Sequence, residues 1–329
     1  MIKTLLWISV FLLSSFGYWD CFRRKSTVSV YFIPVLTVAG QFCVLLAAGF
    51  LNILTEAILT MYIGGIFLLG RSLRRDFSGT VRPYLNGGYL FFFCFLAAFA
   101  LSLRGNLLVV EDDFAHWGLV VKKILETGRL PNFTDTVIGF QKYPLGSSLW
   151  ICFFCFFAGP QEDLMALAQC YMLLCCLLPM WHVISGNKLL CTGFLILTAN
   201  FILIHNIPTS SLMVDTLLPL AGMAAIFFIL CHREKGRACL FGAVLLLVWP
   251  AQIKNSGLLF AVTCAALLLM PGTQGRRELP ARLACAASPV IGFLLWSRHC
   301  DLVFSDSAFS KHAVSVEGYS AIFGLKTSQ

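Results

Sequence analysis

Long apolar runs separated by short polar turns fill most of this chain. Runs of spanning length lie near residues 3–19, 29–50, 53–70, 85–103, 163–184, 188–205, 213–231, 238–252, 255–270 and 281–297. A helix rises about 1.5 Å per residue, so a hydrocarbon core about 30 Å thick takes roughly 20 apolar residues. The pattern predicts an all-α fold, a polytopic transmembrane helix bundle of about ten spans. Aromatic residues recur near the ends of the runs, as interfacial belts require. A further apolar stretch, GSSLWICFFCFFAG at 146–159, would reach only roughly 20 Å as a helix. It is predicted to lie in the outer leaflet as a juxtamembrane or re-entrant helix, because a helix keeps its backbone bonds internal. A short true span is the alternative for this stretch.

Charge gives the bundle two sides. Hydrophobic residues make up 58% of the chain and charged residues 12%, too few charges to coat a soluble protein of this length. The net charge of +8 is gathered in clusters: Arg23 to Lys25, Arg71 with Arg74 and Arg75, His232 to Arg237, and Arg276 with Arg277. Short basic loops mark the cytoplasmic side, and none is large enough to form a nucleic-acid patch. Counting spans from these clusters puts the N-terminus, the long loop 104–162 and the turns near 206–212 and 254 outside. The chain then divides into an N-terminal three-span membrane segment (1–84), a membrane core with its external loop (85–297) and an external C-terminal segment (298–329). That last segment stops abruptly, and the chain reads as C-terminally truncated. The first apolar run lacks a small-residue cleavage site and is followed by Arg-Arg-Lys, so it reads as a retained anchor. The 14 cysteines fall mostly inside apolar runs and read as small buried hydrophobes.

Candidate chemistry is confined to the external side. Residues 111–118 read Glu-Asp-Asp-Phe-Ala-His-Trp-Gly, a cluster that is costly beside a membrane unless it faces water and has a task. Residues 112–127 carry a helical pattern, which places Asp113 on one face with His116 and Trp117. A carboxylate near a low-dielectric boundary has its pKa raised, which suits Asp112 or Asp113 to general-base work. Asp113, His116 and Asp215 are also candidate ligands of a divalent metal ion. Helix N-capping is the structural alternative for Asp112, Asp113 and Asp215. Tyr143 and Pro144 are placed to begin the short outer-leaflet helix. Lys254 is a lone cation at an external turn, against the positive-inside trend. It suits a phosphate as a point charge, with Asn255 adding a donor, or else it snorkels to the interface.

The ordered set of an acidic pair in the first long external loop, a Tyr-Pro segment some thirty residues on, Asp215 at a later external turn and Lys254 at the next resembles the GT-C glycosyltransferases. The likeness is nearest to the bacterial PMT/ArnT/RgtA-D-like branch and covers roughly residues 85–270. It implies a polytopic enzyme that takes a sugar from a polyprenyl-phosphate donor and passes it to a glycan, lipid or protein acceptor. It further implies that Asp112 or Asp113 activates the acceptor or binds a metal, that Asp215 is the second acid, and that Lys254 contacts the lipid phosphate. The expected location is a bacterial plasma membrane, with the active site facing outward among membrane lipids. Two departures stand out: three extra spans precede the acidic loop where the family often has one span in all, and the family's Tyr-Pro-Pro is here Tyr143-Pro144-Leu145. The rival classes are a transporter or flippase, which predicts charges on broken helices at mid-membrane, and a non-catalytic subunit of an envelope-glycan assembly complex.

Overall fold

The structure is a computed structural model and describes residues 2–204, 207–232, 237–270 and 278–304. Most of the expected external C-terminal segment therefore lies outside the described residues. Among the described residues every regular element is helical. The order is α1 (Ile2–Lys25), α2 (Ile33–Phe50), α3 (Leu54–Arg75), α4 (Phe77–Val81), α5 (Gly87–Ser102), α6 (Gly118–Thr127), α7 (Ser148–Cys155), α8 (Glu162–Ile184), α9 (Lys188–Ile204), α10 (Ile207–Ser210), α11 (Leu217–His232), α12 (Arg237–Ile253), α13 (Gly257–Leu269) and α14 (Leu279–Val303).

Each of the ten long apolar runs is a helix, but not all are long enough to cross a bilayer alone. Four segments are, by length and composition: Val30–Phe50, α3, α8 and α14. A fifth arises if Phe77–Tyr84 and Gly87–Ser102, bent by 76° against each other, count as one span. The helices α9, α11, α12 and α13 contribute shorter apolar stretches. At 1.5 Å per residue a 16-residue helix such as α11 reaches about 24 Å, which falls short of a full core.

Burial separates the faces that meet protein from those that do not. On α3, Ile58, Met61, Tyr62, Gly65 and Leu69 are buried, while Leu59, Ile63, Ile66 and Phe67 are exposed. An apolar face of that size is costly in water and matched by lipid tails. By contrast α8 is almost wholly buried and forms the centre of the bundle. Helices α1 and α3 touch at small residues. A Cβ on Gly17 would run into the Gly65 backbone, and one on Gly65 into Ser14, the small-residue packing that lets membrane helices approach closely.

Helix α7 differs from the expectation for 146–159. It is only eight residues long and every one of them is buried. Trp150 donates its indole N–H to Gln41 Oε1 at 3.0 Å, and the Tyr62 hydroxyl donates to the Phe153 carbonyl at 2.9 Å. It is thus a core helix, not a lipid-facing one. Its sequence is apolar all round, and such a helix is buried on all sides by its neighbours. Tyr143 and Pro144 do not begin it, since its first residue is Ser148.

Helix ends collect at two poles. At one, Arg23 pairs with Asp20 and donates to the Gly79 carbonyl, Arg24 pairs with Asp20 and donates to Thr80, and Ser29 meets His182 and His232. This is the pole of the basic clusters 23–25, 71–75 and 232. At the other, Glu162 accepts from the Leu108 N–H and Asn106 donates to the Ser210 carbonyl. Arg23 and Arg24, expected in a solvated loop, are instead tied down by a buried aspartate three and four residues earlier.

Candidate functional site

The acidic cluster opens a helix that continues into α6, and its first turns are unusual. Residues 113–117 form a π-turn, with the Gly118 N–H bonded to the Asp113 carbonyl. Such single-turn widenings cost helix stability and are frequent at functional sites. The wider turn also alters the expected alignment. Asp113 and His116, expected on one face of an α-helix, here meet different partners.

Asp113 is 1% exposed. Its Oδ1 accepts the backbone N–H of Leu212 at 2.9 Å, while its Oδ2 is buried with no partner. Burial pushes its carboxyl up to about 6, the Leu212 hydrogen bond works against this, and the nearby charges of Asp112 and Glu162 add to it. Asp112 is only half-buried.

His116 is likewise 1% exposed, and neither ring nitrogen has a partner. It sits in an aromatic box. Trp117, Phe140 and Tyr143 meet it edge-on, with ring centroids at 4.5, 5.9 and 5.3 Å. Burial lowers its pKa to about 3, so the imidazole is neutral at physiological pH. Tyr143 stacks on Phe140 and Trp117 and so serves as a wall of this box.

Asp113 reaches Leu212, and three residues further along the same segment stands Asp215. The Asp215 carboxylate pairs with Lys254 Nζ at 2.8 Å. Both are accessible, at 58% and 32% side-chain exposure, so an incoming anion can compete for the ammonium. Asn255 follows in the turn that closes through the Gly257 N–H on the Lys254 carbonyl, at 2.8 Å. Loop and bundle are stitched together beside it. The Gly146 N–H donates to the Gln252 carbonyl at 2.6 Å, and Trp249 donates to the Gly146 carbonyl at 3.0 Å. Gly146 has to be glycine, because a Cβ there would strike the Gln252 backbone.

From Asp215 an apolar cavity of about 480 Å³ runs inward between α5, α8, α9 and α11. Thr198, Thr209, Asp215 and Thr216 are its polar lining residues, and Phe99, Leu177 and Met223 stand among its apolar walls. The structure therefore brings Asp113, Asp215 and Lys254 to one pole of the bundle, with His116, Tyr143 and Asn255 around them.

The three expected metal ligands are not joined. Asp113 binds a backbone N–H, His116 lies in the aromatic box, and Asp215 holds Lys254. Among the described residues no three His, Cys, Asp or Glu side chains form a metal-holding group.

Two glutamines at this pole escaped the sequence reading. Gln252 is fully buried with neither amide atom partnered, and Gln169 donates to the Met213 carbonyl at 2.7 Å while its Oε1 has no partner. Their signal is a lone amide within or closing an apolar run, where an unmet polar group is expensive. Comparison with protein-family models, with curated proteins and with solved structures returned no match to this chain.

Proposed function

We infer that this chain is an integral membrane glycosyltransferase of the GT-C type, drawing a sugar from a polyprenyl-phosphate donor at the non-cytoplasmic face of a bacterial plasma membrane. The observation that carries the reading is the convergence at one pole: Asp113 on the Leu212 N–H, and Asp215 of the same segment on Lys254. Asp113, buried and with one oxygen free, suits the general base better than half-buried Asp112. Its pKa near 6 leaves it ionised at neutral pH yet basic enough to accept a proton there. The unpartnered Oδ2, which the 111–118 turn must uncover for an acceptor to reach it, takes the proton of the acceptor hydroxyl. The acceptor oxygen attacks the anomeric carbon, and the bond from that carbon to the phosphate oxygen breaks with inversion. The electron pair leaves with the lipid phosphate. Lys254 shifts from Asp215 to that phosphate, whose charge grows in the transition state. The apolar cavity behind Asp215 takes the first part of the polyprenyl tail, and the neutral His116 with Tyr143 forms a flat aromatic wall beside the base.

The test uses membranes carrying the full chain and a labelled lipid-linked sugar. Asp113→Asn is expected to lower transfer by about 10²–10⁴-fold, the range of general-base contributions. Lys254→Ala is expected to cost about 10²-fold or more, as loss of one electrostatic stabiliser does. Asp112→Asn is expected to change little. Undiminished transfer in both Asp113→Asn and Lys254→Ala would remove the mechanism.

A further inference from the structure

The larger cavity lies elsewhere, between α1, α2, α3 and α12. It encloses about 740 Å³, within the range of about 300–1,000 Å³ usual for small-molecule sites. Leu36, Val44, Ala47, Phe241 and Leu245 make most of its wall hydrocarbon. Gly40 lines it too, where a Cβ would already touch Leu245, so any longer side chain at that position would enter the space. Along α2 the wall from Leu36 to Ala47 runs for about 16 Å at 1.5 Å per residue.

One end of this groove is charged. Lys25 and Ser26 line it at the pole of the basic clusters. Their neighbours Arg23 and Arg24 are held by Asp20, whereas Lys25 is exposed and pairs with no carboxylate among the described residues. Two polar atoms of the lining residues have no partner in the protein: the Ser26 hydroxyl and Nε2 of Gln41. The protein alone thus leaves this groove incomplete. Water gains nothing from apolar walls, and a void forfeits dispersion contacts along its whole lining. A hydrocarbon chain restores those contacts, and an anion answers Lys25 and Ser26.

We propose that this groove binds one anionic phospholipid of the inner leaflet, with its phosphate on Lys25 and Ser26 and one acyl chain running past Gly40 toward Ala47. Charge selects the lipid. An ammonium beside a membrane surface attracts an anionic headgroup, and lysine meets phosphate as a point charge. The bound chain would add hydrocarbon contacts to the place where α2 already packs on α1 and α12.

The full chain is purified in mild detergent and its retained lipid identified by native mass spectrometry. It is also reconstituted in phosphatidylcholine vesicles with and without phosphatidylglycerol, and its Tm is measured in each. Wild-type protein is expected to keep one phosphatidylglycerol and to melt higher in vesicles that contain it. Lys25→Gln, an exposed and conservative change, is expected to remove that preference at least tenfold while leaving the Tm in phosphatidylcholine alone unchanged. Gly40→Leu is expected to expel the lipid. Should Gly40→Leu fail to fold, Lys25→Gln decides by itself. Equal retention of both lipids in wild type and Lys25→Gln would overturn the proposal, as would a groove closed by a second copy of the chain, read as a lipid-free dimer. Neither outcome bears on the glycosyltransferase reading, whose residues lie at the other pole.

Discussion

Asp113 and His116, three residues apart, titrate in opposite senses for one physical reason. Burial disfavours the charged form of each. The Asp113 carboxyl ionises near 3.8 when unfolded and near 6 when folded. The folded state therefore holds the extra proton between those values. Stability from this group is present below about 3.8 and is lost as pH rises through about 6. A shift of about two units corresponds to about 3 kcal/mol, a cost carried at neutral pH to keep a ready base. His116 runs the other way. Its neutral ring contributes fully above 6.5, and that contribution drains as pH falls toward 3. In the transfer assay kcat/KM is expected to rise with pH through an apparent pKa near 6 and then level off. A limb at the ordinary carboxylate value would sink Asp113 as the base. The acidic cluster was legible from sequence because three carboxylates beside a membrane are conspicuous. The aromatic box was not, since Phe140 and Tyr143 reach His116 only after the loop has folded back.

At the scale of elements, hydropathy placed the helices well and their surroundings poorly. All ten long runs are helical because apolar side chains at helical spacing leave the backbone no better way to satisfy its own hydrogen bonds in lipid. Helix α7 was misplaced because an all-apolar octamer carries no mark that distinguishes lipid from protein as its solvent. Close packing of α1 on α3 likewise depends on which glycines face a partner. Gly65 faces Ser14, while Gly70, one and a half turns on in the same helix, has nothing within 4 Å. Gly65→Val is expected to destabilise the protein by about 1–3 kcal/mol through overpacking. Gly70→Val, with the same propensity change, is expected to leave it near wild type. Thermal melts of the two in one detergent check this, and equal losses would contradict the α1–α3 contact.

Over the whole molecule, helix ends gather at two poles, and the positive-inside rule assigns the basic one to the cytoplasm. Arg75 closes α3 at the basic pole, and Asn255 stands in the turn beside Lys254 at the other. Arg75→Cys and Asn255→Cys are expected to react with an impermeant thiol reagent from opposite faces of sealed, oriented vesicles. Labelling of both from one face would break the topology and, with it, the outward-facing site. The native cysteines interfere little, since most are buried or half-buried among apolar helices.

Composition and periodicity by themselves determined that the chain is helical and that it carries faces suited to lipid. These are local properties, set by the side chains of each segment and the solvent they must meet. Tertiary structure alone decided which polar groups come together. The partner of Asp113 is a backbone N–H 99 residues away, and the partner of the Trp249 indole is a backbone carbonyl 103 residues away. Every residue but proline offers the same backbone groups, so nothing in the sequence marks Leu212 or Gly146 as the one that will be used. Only the packing of the helices brings those groups to the buried carboxylate and the indole that need them.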